Sequence, residues 1–226
     1  MAVPGSLNEK HLLYAAAAVG SIALLTLADS TLSGNAGVDN RQELGPILDT
    51  ANEFGNPVYA GPAIACVFAA TLLTNNSRLQ DAAFTSLESA VYTSLATSAL
   101  KLSIGRARPR QVVGTQEYNP FSGDQSLPSG HTSLAFAIAV PWAVYYPGPA
   151  TYALVAAAGG TAVARVSRGD HWTSDVVAGA ALGGTIGFLL ARNHKRAIDL
   201  GEDAPAIVAA PLLAPGSVGL SLSMHF

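Results

Sequence analysis

Charge is what this 226-residue chain has least of. Only 12% of its residues are Asp, Glu, Lys or Arg, half are hydrophobic, and mean hydropathy is +0.33. Soluble domains carry about 25% charged residues. The shortfall excludes a disordered or solvated tail, which needs high charge and little apolar content. Basic residues are scarce too: 12 against 15 acids, net charge −3, with no basic stretch along one element, which argues against a nucleic-acid partner. The single cysteine, Cys66, excludes an internal disulfide and any zinc site built on several thiolates. No repeat of solenoid length is present. Two architectures remain: a helical bundle in a membrane, or a soluble bundle with an unusually large apolar core.

What is present is a series of six apolar runs separated by short polar connectors: Leu12–Ala28, Val58–Leu73, Ala82–Leu102, Leu134–Tyr146, Tyr152–Val166 and Val176–Ala191. They are rich in Ala and Leu, lack two-residue alternation and are too long for ordinary strands, so they predict helices. Gly55-Asn56-Pro57, Asn75-Asn76-Ser77 and Pro147-Gly148-Pro149 punctuate them. The expected fold is all-α, a six-helix bundle over residues 1–198. The remaining 199–226 form a tail in which Ala206–Leu213, Pro215-Gly216-Ser217 and Val218–Phe226 predict a small β-hairpin. The first run reads as a core helix rather than a cleaved leader, because Leu27-Ala28-Asp29-Ser30 is a poor cleavage site.

Parity favours a membrane setting. If six helices cross in turn, the connectors after the first, third and fifth share one side. The connector Asp29–Asn56 has five acids and only Arg41, whereas the opposite side receives Lys10, Arg78, Arg192, Lys195 and Arg196. That bias places both termini in the cytoplasm. Two features pull the other way. A 16-residue run reaches only about 24 Å, short of the ~30 Å hydrocarbon core. The hairpin-like tail would suit a soluble exported protein.

Polar chemistry is concentrated in three short segments that parity puts on one side. The first carries Lys101, Arg106, Arg108-Pro109 and Arg110; the second is Pro128-Ser129-Gly130-His131, just before an apolar run; the third is Arg165, His171 and Asp175. Converging cations repel one another unless an anion lies between them. Arg forks match phosphate oxygens, and Lys adds a point charge. Ser129 and Gly130 open a helix, where free N–H groups favour an anion, and Gly130 lets the backbone come close. His171 and Asp175 are four apart, so a helical start brings them together; the carboxylate would fix the tautomer and leave the other ring nitrogen to attack. His131 would give a proton to the leaving oxygen. The scheme needs no metal and no cofactor.

These segments resemble the three signature motifs of the type 2 phosphatidic acid phosphatase superfamily, which includes lipid phosphatases, bacterial acid phosphatases and vanadium haloperoxidases. Lys-x6-Arg-Pro falls on Lys101, Arg108 and Pro109, Pro-Ser-Gly-His on Pro128 to His131, and Ser-Arg-x5-His-x3-Asp on Arg165, His171 and Asp175, with Ala164 where the motif has Ser. The resemblance implies a phosphohistidine on His171 oriented by Asp175, with His131 as proton donor. Lys101, Arg108, Ser129, Gly130 and Arg165 would hold the phosphate. It also implies a phosphorylated lipid as partner if the bundle is membrane-embedded. Parity, with both termini in the cytoplasm, puts the site on the outer face, and the polar connector Gly114–Leu127 is the candidate lid. A soluble exported acid phosphatase is the second reading. A vanadium-dependent haloperoxidase ranks below both, because such relatives are generally larger.

Other residues carry plainer expectations. Gly179, Gly183 and Gly187 predict a close helix-packing ridge. Cys66 reads as a small core residue, and His11, His194 and His225 as solvated or interfacial. Arg106, Arg110 and Arg168 read as surface anchors or helpers of the anion pocket, and Asp170 as a neighbour of His171 or a solvated acid.

Overall fold

The computed structural model describes residues 9–36, 41–111, 117–123, 125–199, 207–214 and 217–224. Among them are seven helices: α1 (Glu9–Ala36), α2 (Arg41–Phe54), α3 (Pro57–Thr71), α4 (Ser77–Ile104), α5 (Gly130–Tyr145), α6 (Pro149–Ser167) and α7 (Thr173–Asp199). Two strands, β1 (Ile207–Ala214) and β2 (Ser217–Met224), pair antiparallel from Ile207 opposite Met224 to Ala214 opposite Ser217. The helix starts follow local chemistry. The Asn56 side chain, just ahead of Pro57, accepts from the Val58 N–H to cap α3, and Asn76 accepts from the Leu79 N–H to cap α4.

The bundle corrects the six-helix expectation in one place. The connector from Asp29 to Asn56 holds the end of α1 and all of α2. Its acids and the Gly45-Pro46 pair kept it from scoring as an apolar run, yet Pro46 is tolerated inside the helix. Packing supplies the reason: the Thr161 hydroxyl donates to the Ala51 carbonyl at 2.6 Å, and Ala51 lies against Gly160, so α2 rests on α6. The polar Asp29 and Asn52 at the same end of α1 and α2 both reach the motif segments, so α2 adds a helix without changing sides.

α5 is the centre of the bundle, with α4, α6 and α7 around it. α7 approaches closely because of its glycines. A Cβ on Gly183 would lie 2.0 Å from the Ser133 carbonyl oxygen, and one on Gly179 would lie 2.7 Å from that of Ser129. Most of the buried core side chains are small or hydroxylated. In α4, Thr85, Ser86, Ser89, Thr93 and Thr97 are buried, whereas Val91, Leu95, Leu100 and Leu102 face outward. Exposed hydroxyls turn back on their own helices: Ser98 donates to the Ser94 carbonyl and Ser103 to that of Ala99. This inverted amphipathicity suits an apolar surrounding, since outward polar groups are satisfied within the helix. Thr173–Ala197 is long and apolar enough to cross a membrane, and Gly20–Leu32 and Pro57–Thr71 are shorter apolar segments.

Two plain expectations fail at side-chain level. Cys66 is exposed on α3. His194 is buried, its Nδ1 2.9 Å from the Thr85 hydroxyl and its Nε2 3.6 Å from Glu88, with the ring stacked on Phe84. The hydroxyl-rich face of α4 gives this histidine partners that spacing along the chain does not reveal. The side chains of His11 and His225 lie outside the described residues.

Candidate active site

The three motif segments meet at one end of the bundle. α4 ends at Gly105, whose φ of 59° is the left-handed turn that glycine adopts readily, and the chain then reverses so that Asn119 donates to the Gly105 carbonyl. That reversal carries Arg106 inward and leaves Lys101 in the last turn of α4. The Ser129 N–H donates to the Asp175 carbonyl at 2.9 Å, which ties the start of α5 to the start of α7. The corner between α2 and α3 touches the same place. A Cβ on Gly55 would lie 2.3 Å from the His131 carbonyl oxygen, so this contact needs glycine.

His171 lies just before α7 with its side chain 2% exposed, and its Nδ1 is 3.5 Å from Asp175 Oδ2. That contact is longer than a good hydrogen bond. The same Asp175 oxygen accepts from the Ser126 hydroxyl at 2.5 Å and from the Trp172 N–H at 2.9 Å. Burial pushes the His171 imidazole below its ordinary value of 6.5, against the pull of Asp175, so the ring is neutral at neutral pH.

Cations surround this pair. Lys101 donates to the Gln125 carbonyl and lies over Gly130, where a Cβ would be 3.7 Å from its Cε. Arg108 is close enough to both Lys101 and Arg165 for their charges to interact. Arg165 is 8% exposed; its guanidinium donates to Asn52 Oδ1 at 3.1 Å and pairs with Asp170 at 3.0 Å. His131 is half-buried in the first turn of α5, within electrostatic reach of Arg165, His171 and Glu53. Ser129 is fully buried and accepts from the Thr132 hydroxyl at 3.1 Å. All eight residues proposed from the sequence therefore lie at one locus. Ala164 is fully buried and offers no hydroxyl there. Among the described residues, no group of three or more His, Cys, Asp or Glu side chains could hold a metal ion.

Several neighbours were misread or missed. Arg106 is no surface anchor: its side chain is fully buried, bonded to Asp29, Asp175 and Ser174 and flanked by the rings of Tyr118 and Trp172. Arg110 pairs with Asp170 and Arg168 with Asp49, which places both at the mouth of the locus. Asn52, Glu53, Gly55 and Ser126 also shape it, and only contacts across the fold identify them. Of the expected lid, 117–123 and 125–127 are described, and Tyr118 packs on Arg106; the rest lies outside the described residues.

Comparisons with known proteins bear on the family and the fold. Residues 82–199, more than half of the chain, match the sequence model of the PAP2 superfamily. A lipid A 1-phosphatase of Rhizobium etli is 37% identical over 111 residues, which cover 47% of this chain and 47% of the relative. The chain thus spans about half the length of the curated relative it matches. The crystal structure of a transmembrane PAP2-type phosphatidylglycerolphosphate phosphatase from Bacillus subtilis superposes with a TM-score of 0.61 at 20% identity. That match covers 81% of this chain and 96% of the other. LpxE of Aquifex aeolicus superposes with a TM-score of 0.53 at 17% identity, covering 73% and 94%. At these identities, the two structures speak to the fold.

Proposed function

The chain belongs to the PAP2 superfamily, and from that premise we propose that it is a metal-independent phosphatase of lipid phosphates acting through a phosphohistidine. The observation that carries this reading is the buried His171–Asp175 pair set under Lys101, Arg108 and Arg165. Asp175 faces Nδ1, so Nε2 is the nitrogen that attacks phosphorus. As the P–O bond to the lipid breaks, His131 gives its proton to the leaving oxygen. Water, deprotonated by the same histidine, then attacks the phosphoimidazole, releases inorganic phosphate and returns His171 to its resting state. The cations and the Ser129–Gly130 backbone stabilise the equatorial oxygens throughout.

A lipid substrate is favoured by the apolar outer faces and by a groove of about 450 Å³ between α3, α5 and α6. It runs from Glu53 and Phe54 past Ala63 and Ile138 to Trp142, so an acyl chain lying there would start at Glu53, which is within electrostatic reach of His131. Arg78, Arg192, Lys195 and Arg196 occupy the far end, which favours a bilayer orientation with the site on the outer face. The β1–β2 hairpin would be a separate unit in this reading. The test is phosphate release by the pure protein in detergent micelles from lipid A, phosphatidylglycerophosphate and phosphatidic acid, and from soluble phosphomonoesters, with and without chelator. Release from lipids that withstands the chelator supports the reading; chelator-sensitive release or a preference for soluble esters contradicts it.

A further inference from the structure

Asp29 lies on α1, far in sequence from every motif, and is fully buried. Its Oδ2 pairs with Arg106 Nη2 at 2.7 Å and accepts from the Ser174 hydroxyl at 2.5 Å, while its Oδ1 accepts from the Ser174 N–H at 2.9 Å. Arg106 extends Nη1 to Asp175 Oδ1 at 2.7 Å. Both side chains of each pair are 0% exposed, so none of these charges is screened by water. The two oxygens of Asp175 are thereby divided: Oδ1 belongs to Arg106, and Oδ2 faces His171.

Charge balance gives this row a purpose. Arg106 against Asp175 alone would make a neutral pair and cancel the field that the carboxylate exerts on the imidazole. With Asp29 added, the row of two carboxylates and one guanidinium keeps a net charge of −1 next to a ring that becomes cationic when phosphorylated. We propose that Asp29 and Arg106 are positioning residues for the nucleophile: Arg106 orients Asp175, and Asp29 offsets the Arg106 charge so that Asp175 keeps its own for His171. This rests on the phosphohistidine reading of the site.

The test compares wild type with Asp29→Asn, the double variant Asp29→Asn/Arg106→Gln, and His171→Ala. Asp29→Asn preserves shape and leaves the Arg106 charge unbalanced. Its kcat is expected to fall about ten- to a hundredfold while KM stays within about twofold. The double variant restores the net charge and is expected to turn over faster than Asp29→Asn, whereas independent structural roles would make the losses compound. A second readout needs no turnover: the ¹⁵N titration of His171 in the ligand-free protein, assigned by its loss in His171→Ala. The groups facing His171 are Asp175 on α7, Lys101 on α4, His131 on α5 and Arg165 on α6, all unchanged across the series. Asp29→Asn is expected to make His171 less basic, and the double variant to reverse that shift. The proposal is overturned by an Asp29→Asn enzyme within about twofold of wild type in kcat, by a double variant no faster than the single, or by an unmoved titration. If His171→Ala still releases phosphate, or wild type releases none, the phosphohistidine reading fails by itself, and the titration still decides the role of Asp29.

Discussion

On the proposed phosphohistidine reading, His171 is the residue on which the chemistry turns, and its surroundings make testable demands. Removing the nucleophile should cost at least about a thousandfold in kcat, and Asp175→Asn, which keeps the shape but loses the charge, should approach the same loss. Both are checked by phosphate release in micelles, with circular dichroism to confirm folding. Burial holds His171 below 6.5, and the proposed nucleophile is the neutral ring, so activity is expected to persist as pH falls past 6.5 and to decline only as the ring protonates below it. A pH profile of kcat/KM whose acid limb lies above 6.5 would contradict that sign. The eight candidate site residues could be read from the chain because each falls within a short, fixed spacing. Asp29 could not: it meets Arg106 across 77 positions, and an acid after an apolar run looks like the end of a helix. Arg106 was legible as a charge but not as a buried one, because burial depends on Tyr118, Trp172 and two distant carboxylates.

Among the elements, α5 and α7 do most to place the site, and their glycine contact is the point of least tolerance. Gly183→Ala would force a methyl onto the Ser133 carbonyl and should cost about 1–3 kcal/mol of stability. Gly20→Ala on α1 meets nothing within 4 Å and should leave thermal unfolding unchanged or slightly raised. Equal melting temperatures for the two variants would contradict this packing. The α7 glycine ridge and the long apolar helices were readable because periodicity and small residues are local signals. α2 was not, because its stability comes from lying on α6 through Thr161 and Gly160 rather than from an apolar run of its own. Likewise His194 and Cys66 exchanged their expected places, since which face of a helix is buried is settled by the neighbouring helix.

At the scale of the whole molecule, a bundle with hydroxyls inside and Val, Leu and Phe outside holds one cluster of cations at one end and another at the opposite end. Among the described residues, the low charge of the chain is thus an apolar scaffold around the proposed phosphate-binding locus. If the groove beside His131 takes an acyl chain, Ala63→Trp should raise KM for a long-chain lipid phosphate and leave a soluble phosphomonoester unaffected. Equal effects on the two substrates would contradict a lipid role for the groove. The central claim is a covalent phosphate on one histidine. Its most direct test is rapid acid-free quenching of the protein during turnover of a ³²P-labelled lipid phosphate. The expected result is protein-bound label that is stable to base, lost in mild acid, mapped to His171 and absent from His171→Ala. Label that survives in His171→Ala, or turnover with no bound label at any quench time, would contradict it.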